Sequence, residues 1–268
     1  MERLLILRLE CSGCRVEALL NGVPIVTAAA APGAAPAVRS APVHEYTLEG
    51  ANELELQVEP ALPGAAPAPP EPRLADGRAW AHLRLLLPRS GTLAHPERAR
   101  MLASIEWAPA ATEVYEAPLV LRSRIALPIA FPRWRWLDVA PVPESPGLAS
   151  AVAAYLLPLA LGLARGDAEP LVLASRLRLE ELALAYQRPL ADEVGRLRRY
   201  VQTLHARQPL APPLPSARTL LLRRIAAGRL VECLGADGRP WLRSPVAGGS
   251  VDFPLRLAQI EGRFYVLR

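Results

Sequence analysis

Residues 48–58, LEGANELELQV, carry the pattern that decides how the first part of this chain folds. From position 53 onward, glutamate or glutamine alternates with leucine or valine through residue 59. Successive side chains of a β-strand point to opposite faces, so this alternation predicts a strand with one face in water and the other in a core. The stretch therefore indicates β-structure for the residues around it.

Short strand-like segments lie on both sides of this stretch. Residues 3–10 are mostly apolar, and Asn21-Gly22, within residues 16–26, is the strongest short hairpin signal. Further strand-like segments follow at 79–87, 102–108, 112–127 and 131–140, with Ala/Pro-rich loops at about 27–42 and 60–75. Many short strands separated by turns predict a β-sandwich.

Two motifs in this region resemble a known family. LNGVPIV at 20–26 and LEGANELELQV at 48–58 resemble the pattern of galactose-binding-like jelly-roll domains, in which a strand ends in an Asn-Gly hairpin and a later strand follows Gly-x-Asn. The resemblance covers roughly residues 1–60. It implies an accessory module that binds sugars or packs against neighbouring domains, and it assigns no binding residues.

A proline-rich segment, PVPESPG at 141–147, is the predicted domain boundary. Apolar residues after it recur with helical spacing, which predicts helices at 148–164, 170–187 and 190–206. Beyond Pro212-Pro213, strands are predicted at 220–225, 230–234, 240–243, 251–257 and 264–267, with hairpin turns at 236–238 and 261–262.

The predicted fold class is thus multidomain. An N-terminal all-β sandwich over residues 1–145 precedes an α+β domain over 146–268, in which helices come before an antiparallel curved sheet. The closing LRLAQIEGRFYVLR and the order of elements resemble nuclear-transport-factor-like cone folds. That resemblance implies a cavity at the mouth of the cone.

The positive charge of the chain comes from a single residue type. All 31 basic residues are arginine, so arginine also supplies generic solubility and each one carries less functional information. Residues 1–145 have a net charge of −2 and residues 146–268 a net charge of +7. The basic second half favours an acidic partner or an anionic surface, and peripheral membrane contact is one hypothesis. The sequence has no nucleic-acid-binding motif, which argues against a nucleic-acid partner.

The stretch FPRWRWLDV at 131–139 is read as a strand. Alternation would place Trp134 and Trp136 on one face and Arg133 and Arg135 on the other. The main interpretation is a core strand with its tryptophans inside. The alternatives are a protein interface formed by these four residues and a surface for another ligand.

The sequence contains no motif that specifies catalysis. The four histidines are scattered, and HExxH, GxSxG, Walker A and a GxGxxG after a strand do not occur. Cys11 and Cys14 form a CxxC without a second pair or a nearby histidine, so they are interpreted as turn cysteines, with metal binding or redox chemistry as the alternative. We predict no metal and no cofactor.

Localisation depends on two observations. The first residues lack the apolar stretch of a signal peptide, and the composition is typical of a GC-rich bacterial genome, so a cytoplasmic protein is expected. Residues 148–164 carry no charge over 17 positions. That run indicates either a buried helix or a helix that touches a membrane.

These observations predict a non-catalytic binding or scaffolding protein that acts through protein–protein contact, for example as an accessory or immunity-type partner of a secretion or toxin system. Whether the chain is an enzyme stays open, although the missing motifs argue against it. The alternative is a small-molecule binder or enzyme with a cone-shaped cavity in the C-terminal domain. Its candidate ligand-binding residues are Tyr155, Tyr200, His205, Trp241 and Asp252.

Overall fold

A computed structural model describes residues 4–60, 71–75, 77–88 and 95–268. This part of the chain is mostly antiparallel β-sheet with four α-helices. It divides into two compact units, residues 1–132 and 133–268, so that residues 133–147 cluster with the second unit.

The described residues of the first unit form ten strands and include two antiparallel four-stranded sheets. The sheets have the strand orders β4-β1-β7-β8 and β10-β5-β2-β3, and β6 and β9 form a separate two-stranded ribbon. The strands are β1 (Ile6–Ser12), β2 (Cys14–Leu20), β3 (Val23–Ala29), β4 (Ala37–Pro42), β5 (Gly50–Pro60), β6 (Glu71–Leu74), β7 (Trp80–Pro88), β8 (Ala99–Trp107), β9 (Val114–Ala117) and β10 (Leu119–Leu127).

The alternation in β5 is confirmed. Leu54, Leu56 and Val58 are fully buried, while Glu55 and Gln57 between them are partly exposed. Burying such side chains contributes roughly 1.5–3 kcal/mol each. A register shift of one residue would move all three into water, so the pattern fixes the pairing of β5 with its neighbours β2 and β10.

The only two asparagines of the chain meet in this unit. Asn21 (φ 53°) and Gly22 (φ 74°) form the predicted hairpin turn between β2 and β3. The Asn21 Nδ2 group donates to Asn52 Oδ1 at 2.8 Å, and Asn21 Oδ1 accepts the Glu53 N–H at 2.9 Å. A hydrogen bond between the Asn21 and Asn52 side chains therefore connects the two short motifs identified in the sequence.

The second unit has helices followed by strands, in the predicted order. The helices are α1 (Leu148–Ala164), α2 (Glu169–Ala174), α3 (Arg176–Ala185) and α4 (Leu190–Arg207). The strands are β11 (Leu221–Ile225), β12 (Leu230–Leu234), β13 (Arg243–Val246), β14 (Gly249–Asp252), β15 (Arg256–Ile260) and β16 (Arg263–Val266). β11, β12, β15 and β16 form an antiparallel sheet in that order, and β13 and β14 form a hairpin.

Two predicted elements of this unit are each divided in two. The helix predicted over 170–187 is interrupted at Ser175, whose backbone angles (φ −94°, ψ 7°) are not helical. The strand predicted over 251–257 is interrupted between Asp252 and Arg256. Pro254 lies in that gap, and proline has no backbone N–H to donate to a sheet.

One core holds the helices and sheet of the second unit together. Buried side chains of α1, including Val152, Leu156 and Leu163, pack with Val201 of α4 and with strand residues such as Leu257. Leu197 and Leu204 of α4 pack against the same core beside Val201. The first helix buries only one of its sides, which leaves the other side exposed.

Candidate functional site

The tryptophan–arginine stretch does not form a strand. Residues 135–137 form a 3₁₀ turn, so the strand predicted over 131–140 is wrong. The Arg135 N–H donates to Glu181 Oε1 at 2.7 Å, and its guanidinium donates to Leu177 O at 3.0 Å. These bonds from α3 hold the turn in place. Local alternation could not reveal them, because the partners lie more than 40 residues away along the chain.

Both tryptophans of this stretch are buried. Trp134 is 0% and Trp136 is 2% exposed, so they form no aromatic surface. The Arg268 guanidinium lies 5.6 Å from the Trp134 ring centre and 6.0 Å from that of Trp136, and it pairs with the buried carboxylate of Glu181. This ion pair and its two aromatic contacts form a structural cluster under the turn.

A shallow groove of about 590 Å³ opens beside this cluster in the second unit. It is lined by Arg133, Trp134, Arg135, Glu180, Glu181, Ala183, Leu184, Gln187 and Arg188. Its arginines are already engaged by carboxylates. Arg133 bonds Asp138 and lowers the pKa of that carboxyl group, Arg135 bonds Glu180 at 2.7 Å, and Arg188 bonds Glu193 at 3.1 Å. A ligand in this groove would compete with existing ion pairs.

The aromatic candidates for a ligand site lie in packing positions of the second unit. Trp241 is buried in the core. Tyr155 packs against Phe264 with 5.8 Å between ring centres, and burial raises the pKa of its hydroxyl to about 12. Tyr200 packs edge-on against Phe253 and is about half exposed.

The polar candidates also have local partners. His205 Nδ1 accepts the Leu210 N–H at 3.3 Å, and Asp252 accepts from Arg239 and Ser250 at 2.9 and 2.7 Å. Burial, and after it the charge of Asp252, raise the pKa of Tyr200. None of the five candidates lines the groove described above.

The cysteines are buried thiols. Cys11 is the second-last residue of β1 and Cys14 is the first residue of β2, and the connection turns at Gly13 (φ 68°). A hydrogen bond between the two thiols lowers the pKa of Cys11 and, together with burial, raises the pKa of Cys14. In the described ranges, no three His, Cys, Asp or Glu side chains come together as a metal-binding group.

Helix α1 exposes an uncharged face. Its solvent-facing residues are Ser150, Ala151, Ala154, Leu157, Pro158, Leu161 and Ala164. The run without charge at 148–164 therefore has one buried side and one exposed apolar side. Among the described residues, no helix combines the length and the apolar character needed to cross a bilayer.

The edges of the two large sheets of the first unit differ in how they are protected. Natural sheets block unwanted strand pairing with prolines, bulges, short edges or charge. β3 contains Pro24 and lies beside a bulge, β4 has six residues and ends at Pro42, and β8 is bulged where it pairs with β7. β10 has nine residues, no proline and an unbroken register with β5, so its one device of this kind is the charge of Arg122 and Arg124.

Strand β10 therefore offers an open edge. In the described part of the chain, β5 is its one hydrogen-bonded neighbour. Its inward-facing residues, including Leu121 and Ile125, are only half-buried, whereas Val120, Arg122 and Arg124 are exposed on the opposite face. Half of its backbone N–H and C=O groups point away from β5, as in any edge strand, and they can pair with an added strand.

The exposed face of β10 forms an ion-pair ladder with β5. Arg122 lies opposite Glu55 and bonds it at 2.7 Å, and Arg124 lies opposite Glu53 and bonds it at 3.3 Å. The hydrogen bond and charge of Glu55 raise the pKa of Arg122. The sequence by itself does not mark these arginines as candidates. The alternation of LVLRSRIAL predicts the strand, but strand order in the sheet decides that it is an edge.

Comparison of this chain with protein-family models, with curated proteins and with solved structures gave no match.

Proposed function

We propose that this chain is a non-catalytic binding protein that contacts a partner protein through the free edge of β10. The observation that carries the proposal is the contrast among the sheet edges. β3, β4 and β8 have bulges, prolines or short length, whereas β10 is long, regular and without proline. An extended segment that pairs with such an edge gains backbone hydrogen bonds and covers the half-buried apolar side chains beside it.

Co-purification from cells that naturally express the protein tests this proposal. We expect a stoichiometric partner with the tagged wild-type chain and its loss with Leu121→Lys. A lysine at this inward-facing position places a charge where the added strand would lie, and its flexible stem lets it reach water without unfolding the sheet. Far-UV circular dichroism verifies that the variant is folded.

Leu173→Lys is the matched control, because Leu173 is 75% exposed on α2 and the substitution is chemically the same. Retention of the partner by Leu121→Lys, or loss of the partner with both variants, would contradict a role for β10. Elution of the wild-type chain alone would contradict the protein-binding function itself.

A small-molecule role for the second unit is the alternative. It is supported by the groove of about 590 Å³, which is within the usual range for ligand pockets. The buried Trp134 beside the groove provides a fluorescence signal. Titration with a panel of small carboxylates, phosphates and amines should give a saturable change that Leu184→Trp abolishes, and no saturable change would discard this alternative.

A further inference from the structure

We infer that the segment received by β10 alternates acidic and apolar residues, as β5 does. The inference rests on the proposed function and adds the chemistry of the partner. It follows from the two faces of β10, which an incoming strand would continue.

The exposed face of β10 is positively charged on its open side. Arg122 is 59% and Arg124 is 86% exposed at the side chain, and the glutamates that they bond lie on β5. Each arginine bonds its glutamate through Nε, whereas a guanidinium carries five N–H donors. Carboxylates on a strand beyond β10 would meet the remaining donors and extend the ladder from Glu–Arg to Glu–Arg–Glu.

The inward face requires apolar residues. Leu121 and Ile125 are half-buried at the margin of the sheet, and among the described residues β5 is the one strand that is hydrogen-bonded to β10. A neighbouring strand lies about 4.8 Å away, and its opposite side chains come within contact distance. Apolar residues that alternate with the acids would complete the burial of these two side chains.

A second copy of this chain fits the edge poorly. In the antiparallel pairing of two β10 strands with the greatest overlap, which is centred on Ser123, Arg122 would lie opposite the other copy's Arg124. Like charges directly opposite each other destabilise a strand pair. The charge on this edge therefore selects an acidic partner over self-association.

The chain itself contains a template for the probe. Residues 51–58, ANELELQV, pair with β10 from the other side and place Glu53 opposite Arg124 and Glu55 opposite Arg122. A fluorescein-labelled peptide of this sequence presents the same alternation. A second peptide in which both glutamates are glutamine keeps the apolar residues and the length, but has no charge.

Fluorescence anisotropy with these two peptides tests the inference. We expect the acidic peptide to bind the wild-type chain between about 2-fold and 30-fold more tightly than the neutral peptide, which corresponds to two opposite-charge cross-strand pairs. Arg122→Gln/Arg124→Gln should bind both peptides with the weaker affinity. Arg199→Gln/Arg207→Gln on α4 removes the same charge from the other unit and should behave as wild type. The preference for the acidic peptide should decrease as salt is added.

The outcomes separate this inference from the proposed function. Equal binding of both peptides by the wild-type chain would overturn the acidic chemistry and leave edge pairing intact. No peptide binding, together with a co-purified partner that Leu121→Lys loses, would overturn the alternating segment but not the use of β10. Dimerisation of the wild-type chain that Leu121→Lys abolishes, measured by sedimentation, would replace the acidic segment with a second copy.

Discussion

The buried pair of Glu181 and Arg268 provides the sharpest test of how the second unit is stabilised. Both side chains are at most 6% exposed, and Glu181 also accepts the Arg135 N–H that fixes the 3₁₀ turn. Arg268→Ala leaves the Glu181 carboxylate buried without its cation. Removing one partner of a buried pair costs about 3–5 kcal/mol, and the lost contacts with Trp134 and Trp136 add to that cost.

Thermal unfolding followed by tryptophan fluorescence measures this loss. For a unit of this size, we expect the Tm of its transition to fall by roughly 10–20 °C. Arg268→Met/Glu181→Leu should cost clearly less than the sum of the single variants Arg268→Ala and Glu181→Gln, because the double variant leaves no charge buried.

Arg198→Ala is the control within the same unit. Its pair with Glu169 is exposed on both sides, so its loss should leave the unfolding midpoint almost unchanged. A cost below about 1 kcal/mol for Arg268→Ala, or strict additivity of the two single variants, would refute the buried cluster as described.

Three further perturbations test individual sites. Tyr155 has a folded pKa of about 12, above its ordinary value near 10, so the free energy of unfolding should fall as the pH rises from 10 to 12; urea unfolding across this range should show the fall, and Tyr155→Phe should make it smaller. Burial raises the pKa of Cys233 to about 12, so its thiol should react with iodoacetamide at pH 8 roughly 100-fold more slowly in the native chain than in guanidinium. Mass spectrometry measures both rates, and equal rates would contradict the burial of this thiol. Asn52→Ala removes four hydrogen bonds, including the one from Asn21, and should cost about 2–4 kcal/mol in urea unfolding; Asn52→Asp should recover part of this, since it keeps an acceptor.

Local pattern was sufficient for much of the fold. The alternation in residues 53–59 predicted a strand with a buried leucine face, and Asn21-Gly22 predicted the hairpin. Helix α1 begins and ends at the predicted residues 148 and 164. These features follow from side-chain spacing and turn geometry, which depend on a few neighbouring residues.

Contacts between residues far apart in the sequence decided the structure of the tryptophan–arginine stretch. The stretch at 131–139 has the alternation of a strand, but Glu181 and Arg268 draw it into a turn with both tryptophans inside. No periodicity in that stretch contains information about residues so far along the chain.

For the candidate binding edge, too, the sequence predicted one part of the structure and tertiary contacts decided the other. The sequence predicted a strand within residues 112–127, and its alternation puts Arg122 and Arg124 on one face. Only the tertiary structure decided that β10 has one neighbour and that Glu53 and Glu55 face its arginines. The physical reason is that alternation sets the faces of a strand, whereas its edges are set by the strands with which its backbone forms hydrogen bonds.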